Sequence, residues 1–297
     1  MNAEQKRAIA RQALDATIEL EKAIKKGHLR DIQLAMDAGA LPERAHFANK
    51  KGTPTGSALS YALPHKDALI VQYLLEQGAP LIGDSKTTLG HTCMSLDFLD
   101  GLSLLAKAGY SALPEDYLLA VETDNLDALK ILDSIKPWSN HLPTGQDRIS
   151  LDGWESPLFL VKSRKMVDYL VLTGASFKSK KKDFDALMWA IGQNEDEAAL
   201  ALLDHGHPIE AGSLWMACRQ ENNAMIRTLS ERAPHLSWQK KSTEKYEDTD
   251  DYNYRRELLD NDPDLFEELM EKEKSRKQRQ GLDQATPSVK RQRSSRL

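Results

Sequence analysis

Tyr73-Leu74-Leu75-Glu76-Gln77-Gly78-Ala79-Pro80 decides the fold, because the same phrase returns down the chain. Its variants are Leu34-Ala35-Met36-Asp37-Ala38-Gly39-Ala40, Leu104-Leu105-Ala106-Lys107-Ala108-Gly109-Tyr110, Tyr169-Leu170-Val171-Leu172-Thr173-Gly174-Ala175 and Leu202-Leu203-Asp204-His205-Gly206-His207-Pro208. Each is an apolar helical stretch closed by a glycine, the residue that ends helices in a left-handed conformation at least cost. A unit of about 33 residues cannot bury its own apolar face, so copies must stack on one another as a solenoid. Such stacks mostly bind other macromolecules, and the repeat points to a binding scaffold.

Around the copies the chain reads as pairs of helices. Residues 3–26 form the first helix, with Ile9, Ala13, Ala16, Leu20 and Ala23 at 4-3-4-3 spacing and Gly27 as its stop. Short polar turns follow first helices at Lys25-Lys26-Gly27-His28, Asp124-Asn125, Gln193-Asn194-Glu195 and Glu221-Asn222-Asn223. Second helices then carry Ile70, Leu74 and Leu75; Leu126, Leu129 and Leu132; Met166 and Leu170; Leu200 and Leu203; and Met225, Ile226 and Leu229. The first helices keep their own apolar face in Asp185-Ala186-Leu187-Met188-Trp189-Ala190 and Ser213-Leu214-Trp215-Met216-Ala217.

Over roughly residues 18–236 this pattern resembles the ankyrin repeat, with about seven units. Gly153-Trp154-Glu155-Ser156-Pro157-Leu158-Phe159 is the nearest copy of that family's Gly-x-Thr-Pro-Leu-His opening, one residue longer, and Gly56-Ser57-Ala58-Leu59 is a weaker one. Ser156 suits a helix N-cap and Pro157 its first turn. The opening histidine is absent from every copy, and the stretch from Lys136 to Gly153 is longer than a standard loop of the family. The resemblance implies an all-α helical solenoid that binds a protein partner on its concave face, without a cofactor. The divergence of the repeats fits a specialised bacterial or viral effector or inhibitor.

Four segments are expected: a capping helix at 1–17, the repeats at 18–236, an acidic linker with an amphipathic helix at 237–281, and a basic disordered tail at 282–297. Asp262-Pro263-Asp264 opens the C-terminal helix, Leu265, Phe266, Leu269 and Met270 stripe it, and Gly281 is expected to stop it. That stripe can fold back to cover the last repeat or enter a partner's groove. Acidic residues dominate about residues 244–271 and basic ones follow from Lys272. Lys290, Arg291 and Arg293 resemble a short nuclear-import signal, and the charge-split tail offers an alternative function in nucleic-acid binding or mimicry.

Composition narrows the field further. Of 297 residues, 29% are charged and the net charge is −5, which gives no global bias towards nucleic acid or an acidic membrane. No run is apolar and long enough for a transmembrane helix or a secretory signal. Cys93 and Cys218 lie in different repeats and read as reduced, semi-buried thiols of a cytoplasmic protein; delivery into a host cell and nuclear import is the alternative.

No chemistry-bearing motif emerges. His91 with Cys93, and His205 with His207, lack further ligands at zinc spacing and read as loop histidines beside a packed thiol. Asp248, Asp250 and Asp251 lack the glycine and spacing of a calcium loop. No nucleophile elbow or phosphate loop is present, so neither an enzyme nor a metal or cofactor site is expected. Core packing is the first expectation for the first-helix tryptophans Trp189 and Trp215; as concave-surface residues they are the candidate protein-binding anchors, with Gln193, Asn194, Arg219 and Gln220 as their polar rim.

Overall fold

Helices form wherever apolar residues recur at three- and four-residue spacing, and they stop at residues that adopt a left-handed backbone. The computed structural model describes residues 3–44, 47–48, 54–83, 87–135, 156–175, 177, 185–238 and 254–285. Among them are α1 (Ala3–Lys26), α2 (Leu29–Asp37), α3 (Ala58–Ala62), α4 (Ala68–Glu76), α5 (Leu89–Ser95), α6 (Leu99–Lys107), α7 (Pro114–Glu122) and α8 (Leu126–Ile135). Then follow α9 (Arg164–Leu172), α10 (Ala186–Gly192), α11 (Asp196–Asp204), α12 (Ala211–Arg219), α13 (Asn223–Arg232), α14 (Tyr254–Asn261) and α15 (Pro263–Ala285). Among the described residues the only sheet is a hairpin of β1 (Phe47–Ala48) and β2 (Pro54–Gly56), paired antiparallel across a bulge. The expected all-α repeat fold therefore stands, with this minimal hairpin added.

Both ends of a repeat close by one device. After second helices, Gly39, Gly78, Gly109, Gly174 and Gly206 have φ between +80° and +101°. The next residue donates back across the turn, as Ala79 N does to Leu74 O at 2.9 Å. This 6→1 bond satisfies a carbonyl that the helix end would orphan. First helices end alike, but the left-handed residue there is Gly27, Lys66, Asp97, Asp124, Asn194 or Glu221. Asn and Asp tolerate that conformation through their short polar side chains. The polar turns read from sequence are these residues.

Helix starts are capped with similar regularity. Ser57 accepts from Ser60 N, Asp67 from Leu69 N and Ile70 N, Thr88 from His91 N, Asp185 from Met188 N and Asn222 from Met225 N. Each such cap contributes about 1 kcal/mol.

The chain divides into two units, Met1–Val161 with Tyr169–Ala175, and Lys162–Asp168 with Ser176–Leu297. In the first, α1, α3, α5 and α7 pack in succession, as do α4, α6 and α8. Leu20, Ile24, Ile32, Leu59, Ile70, Leu74, Leu102, Tyr117 and Leu129 are fully buried between them. A buried carboxylate ties α5 to α7. Asp116, fully buried at the start of α7, accepts from Tyr110 Oη at 2.7 Å, Leu113 N at 2.9 Å and Thr88 Oγ1. Tyr110 Oη in turn accepts from Gly90 N at 3.2 Å. A Cβ at Gly90 would lie 2.7 Å from Asp116 Cγ, so the close packing of α5 on α7 needs glycine there.

Ser156 and Pro157 act as expected, the serine accepting from Leu158 N, but they open only a 3-10 turn over Pro157–Phe159. Ser156 and the next cap, Ser163, are about one helical turn closer than Asp185 and Glu195, the corresponding positions in the following repeat. Gly153 and Trp154, like Trp138, Asp248, Asp250, Asp251, Lys290, Arg291 and Arg293, lie outside the described residues.

In the second unit α10, α12 and α14 pack in series, and α13 packs on α15. Leu187, Ile191, Leu202, Leu214, Cys218, Ile226 and Leu229 form the core. The helix pair α14–α15 stacks on α12–α13 as a further repeat would, although the repeat phrase has vanished from its sequence. Leu258, Leu265 and Leu269 are buried, and Trp238 packs edge-on against Tyr254 and Phe266. The C-terminal stripe therefore folds back. α15 runs on past Gly281 to Ala285, correcting the expected stop. A lone interior glycine costs about 1 kcal/mol, and no proline follows until Pro287.

Two further expectations change. Cys93 and Cys218 are fully rather than partly buried, and burial pushes both thiols up to about 12. Ile9, read as part of the first core stripe, is exposed, because α1 continues beyond the length that α2 covers.

Candidate functional site

α10 and α12 place the predicted anchors on two neighbouring first helices of the second unit. Their buried sides are Ala186, Leu187, Met188, Ala190 and Ile191 on α10, and Gly212, Ser213, Leu214, Ala217 and Cys218 on α12. Core packing on that side leaves Trp189 and Trp215 half-buried rather than enclosed. Gln193 stands one turn after Trp189 and Arg219 one turn after Trp215, so each pair shares a helix face.

The site is partly assembled by its own contacts. The Arg219 guanidinium lies 5.2 Å from the centre of the Trp215 ring, within reach of a cation–π attraction. Gln220, the C-cap of α12, donates through Nε2 to Gly192 O at 3.1 Å, tying the end of α12 to the end of α10. Gln193 is the matching C-cap of α10 and is exposed. The close approach of the helices is visible at Gly192, where a Cβ would meet Met216 Sδ at 3.3 Å. The structure thus brings Trp215, Arg219 and Gln220 together at the α10 terminus, with Trp189 and Gln193 on α10 itself.

The outer surface of the second helices is different in kind. Asp204 takes Arg164 and Arg232, each at 2.9 Å, and the hydrogen bonds of these guanidiniums hold its carboxyl below the usual range. His205 Nε2 meets Asp168 at 2.7 Å, and Arg227 pairs with Glu268. Three lysines in the basic run of α15 are likewise answered at home: Lys272 meets Glu268, Lys274 meets Glu271 and Lys277 meets Glu273. These faces already hold their own counter-charges, whereas the α10–α12 face presents indole, amide and guanidinium.

The two histidine pairs sit in different surroundings. His91 sits within α5, not in a loop, and Cys93 is packed in the core. His207 is buried, with Nδ1 2.7 Å from Pro208 O and its ring edge-on to Phe177 at 5.1 Å. Among the described residues no three His, Cys, Asp or Glu side chains cluster as metal ligands would. No helix among them is long and apolar enough to cross a membrane.

Sequence reasoning missed α14 and the carboxylate that secures it. Glu273, buried, accepts from Ser237 Oγ at 2.6 Å and Trp238 N at 2.7 Å and pairs with Lys277. Tyr254 Oη and Arg255 Nε both donate to Ser237 O. The available signal was Tyr254, Leu258 and Asp262-Pro263, which reads as helix, turn and helix.

The fold is supported by the first of two similar solved structures. The ankyrin repeat domain of human ASB11 is similar over 72% of this chain and 96% of its own, at 19% identity and a TM-score of 0.54. An ankyrin repeat protein from Leishmania major aligns over 86% of this chain and 99% of its own, at 13% identity and a TM-score of 0.31. No protein-family model matches the sequence, and no curated protein matches it. The chain has the ankyrin-repeat fold, a helical repeat architecture.

Proposed function

We propose that this protein binds another protein through the first-helix face of α10 and α12, with Trp215 and Trp189 as anchors and Gln193, Arg219 and Gln220 around them. The observation that carries the reading is the half-buried Trp215, stacked under Arg219 beside a Gln220-bridged helix end. Trp and Arg dominate binding hot spots, because a large rigid ring and a planar cation give up much water for little entropy. The ion-paired second-helix surface has less to offer a partner, since its charges would have to exchange existing contacts. The mechanism is occupancy: the partner's surface is masked or recruited, with no bond made or broken. Two free, buried thiols support an intracellular setting.

The test begins with affinity capture of the full chain and identification of the partner, followed by Kd measurements on variants. Trp215→Ala is expected to cost about 2 kcal/mol or more of binding, and Arg219→Glu, at an exposed position, to weaken binding without changing Tm. Wild-type affinity in Trp189→Ala, Trp215→Ala and Arg219→Glu alike would move recognition elsewhere. A chain ending at Trp238 is unsuitable for this purpose, because it uncovers α12 and α13 as well as removing the tail.

A further inference from the structure

We infer that the exposed face of α1 is a self-association surface, taking α1 of a second copy of this chain in antiparallel orientation about a two-fold axis. Glu4, Ala8, Arg11, Asp15, Ile18 and Lys22 recur at 4-3-4-3-4 spacing, the seam of a coiled coil, and all six are exposed. They lie on the side of α1 opposite Leu20 and Ile24, which are buried in the first unit. The order of this stripe is its own complement when reversed. Laid antiparallel, Glu4 falls beside Lys22 of the second copy, Ala8 beside Ile18, and Arg11 beside Asp15. The two-fold repeats each of these pairings, as an isologous interface requires. A parallel arrangement would instead set Arg11 on Arg11 and Asp15 on Asp15.

The flanks agree with the seam. Leu14, 61% exposed, sits next to the dyad, where it meets Leu14 of the second copy. On that same flank Arg7 comes level with Glu21 of the other helix. On the opposite flank Gln12 meets its own counterpart, and an amide can both donate and accept. No like charges oppose one another along the overlap. The apolar content is small, so the association is weak and salt-sensitive. A shallow groove between α1 and α2 takes in Asp15, Ile18 and Lys22 of the stripe together with Leu34 and Ala38, and is the competing contact surface on this end.

The experiment is sedimentation equilibrium of the full chain over a concentration series, at low and high salt, on the wild type and three variants. The wild type is expected to dimerise at low salt and dissociate at high salt. Arg11→Asp and Asp15→Arg each break two pairs per dimer and should weaken dimerisation at least about tenfold, the equivalent of 1.4 kcal/mol. The double variant R11D/D15R restores the pairing with signs exchanged and should return to within about threefold of wild type, equivalent to about 0.65 kcal/mol. Both substituted positions are exposed, so Tm should hold in all three variants. A wild type that stays monomeric throughout overturns the inference. So does a dimer indifferent to Arg11→Asp, a residue outside the α1–α2 groove, or a double variant no tighter than the singles.

Discussion

The two ends of the repeat series solve the same problem in opposite ways. A terminal repeat has an apolar face and no neighbour to cover it. At the C-terminal end α14 and α15 supply the cover: Trp238, Leu258, Leu265 and Leu269 are all within 4% of full burial. At the N-terminal end the cover is thin, since Leu34 remains 58% exposed and Ile18 42%. α1 is long but projects past α2 instead of folding over it. A helix that reads as amphipathic therefore does not cap by virtue of its stripe alone; it needs a turn that brings the stripe back. Asp262 provides that turn for α15, bonding Leu265 N at 3.0 Å as the N-cap and accepting from Asn223 Nδ2 at 2.9 Å.

Ending the chain at Trp238 should produce the largest effect. It exposes Trp238 and the α12–α13 face and removes four buried anchors, Tyr254, Leu258, Leu265 and Leu269, each worth about 1.5–3 kcal/mol of apolar burial before entropy is subtracted. The net loss expected in urea unfolding is on the order of 5 kcal/mol, with α12 and α13 losing amide-exchange protection first. If the shortened chain unfolds at the wild-type denaturant midpoint, α14–α15 is not the cover described above.

An interior position sets the scale for both ends. Leu203 on α11 is buried, and Leu203→Asp should destabilise by about 3–5 kcal/mol by placing a charge among apolar neighbours. A midpoint unchanged from wild type would contradict its place in the core.

The difference between the ends also shows what a sequence can disclose. Gly78 and its counterparts, the polar turns at Asp124 and Asn194, and the α1 stop at Gly27 were all legible, because a left-handed residue leaves a local chemical mark. The exposure of Ile9 was not legible: its spacing matches the core stripe, and only the length of α2 decides whether anything reaches it. The collapse of one first helix to a 3-10 turn was hidden by a correct Ser-Pro signal, since the deletion lies downstream of the cap. For the candidate site, the residue types were readable on α10 and α12. The Gln220 bridge to Gly192 O was not, because it depends on the spacing between two helices. Glu273 was unreadable for the same reason: its partners Ser237 and Trp238 come from a segment more than 30 residues away.

Glu273 gives the next effect in size. Burial works against its charge, but Lys277, Ser237 Oγ and Trp238 N outweigh it and hold the carboxyl below its ordinary value. The stabilisation is therefore complete above the usual glutamate range and disappears as pH falls through the lowered value in the folded state. Glu273→Gln should cost about 1.5–3 kcal/mol at neutral pH, the range for hydrogen bonds to a charged group. Its stability should also fall less steeply in acid than that of the wild type. Parallel acid limbs for the two proteins would show that Glu273 does not secure the C-terminal cover.

The smallest effect belongs to the other end. Deleting residues 1–11 removes only positions whose described side chains are exposed, and leaves Ala16, Leu20, Ala23 and Ile24 in place beneath α2 and α3. Surface changes of this kind stay within about 0.5 kcal/mol, far below the loss from removing α14–α15. The measurement belongs at high salt and low protein concentration, where self-association through α1 does not add to apparent stability. A loss of several kcal/mol under those conditions would mean that the projecting half of α1 covers the first repeat after all, and the contrast between the two ends would disappear.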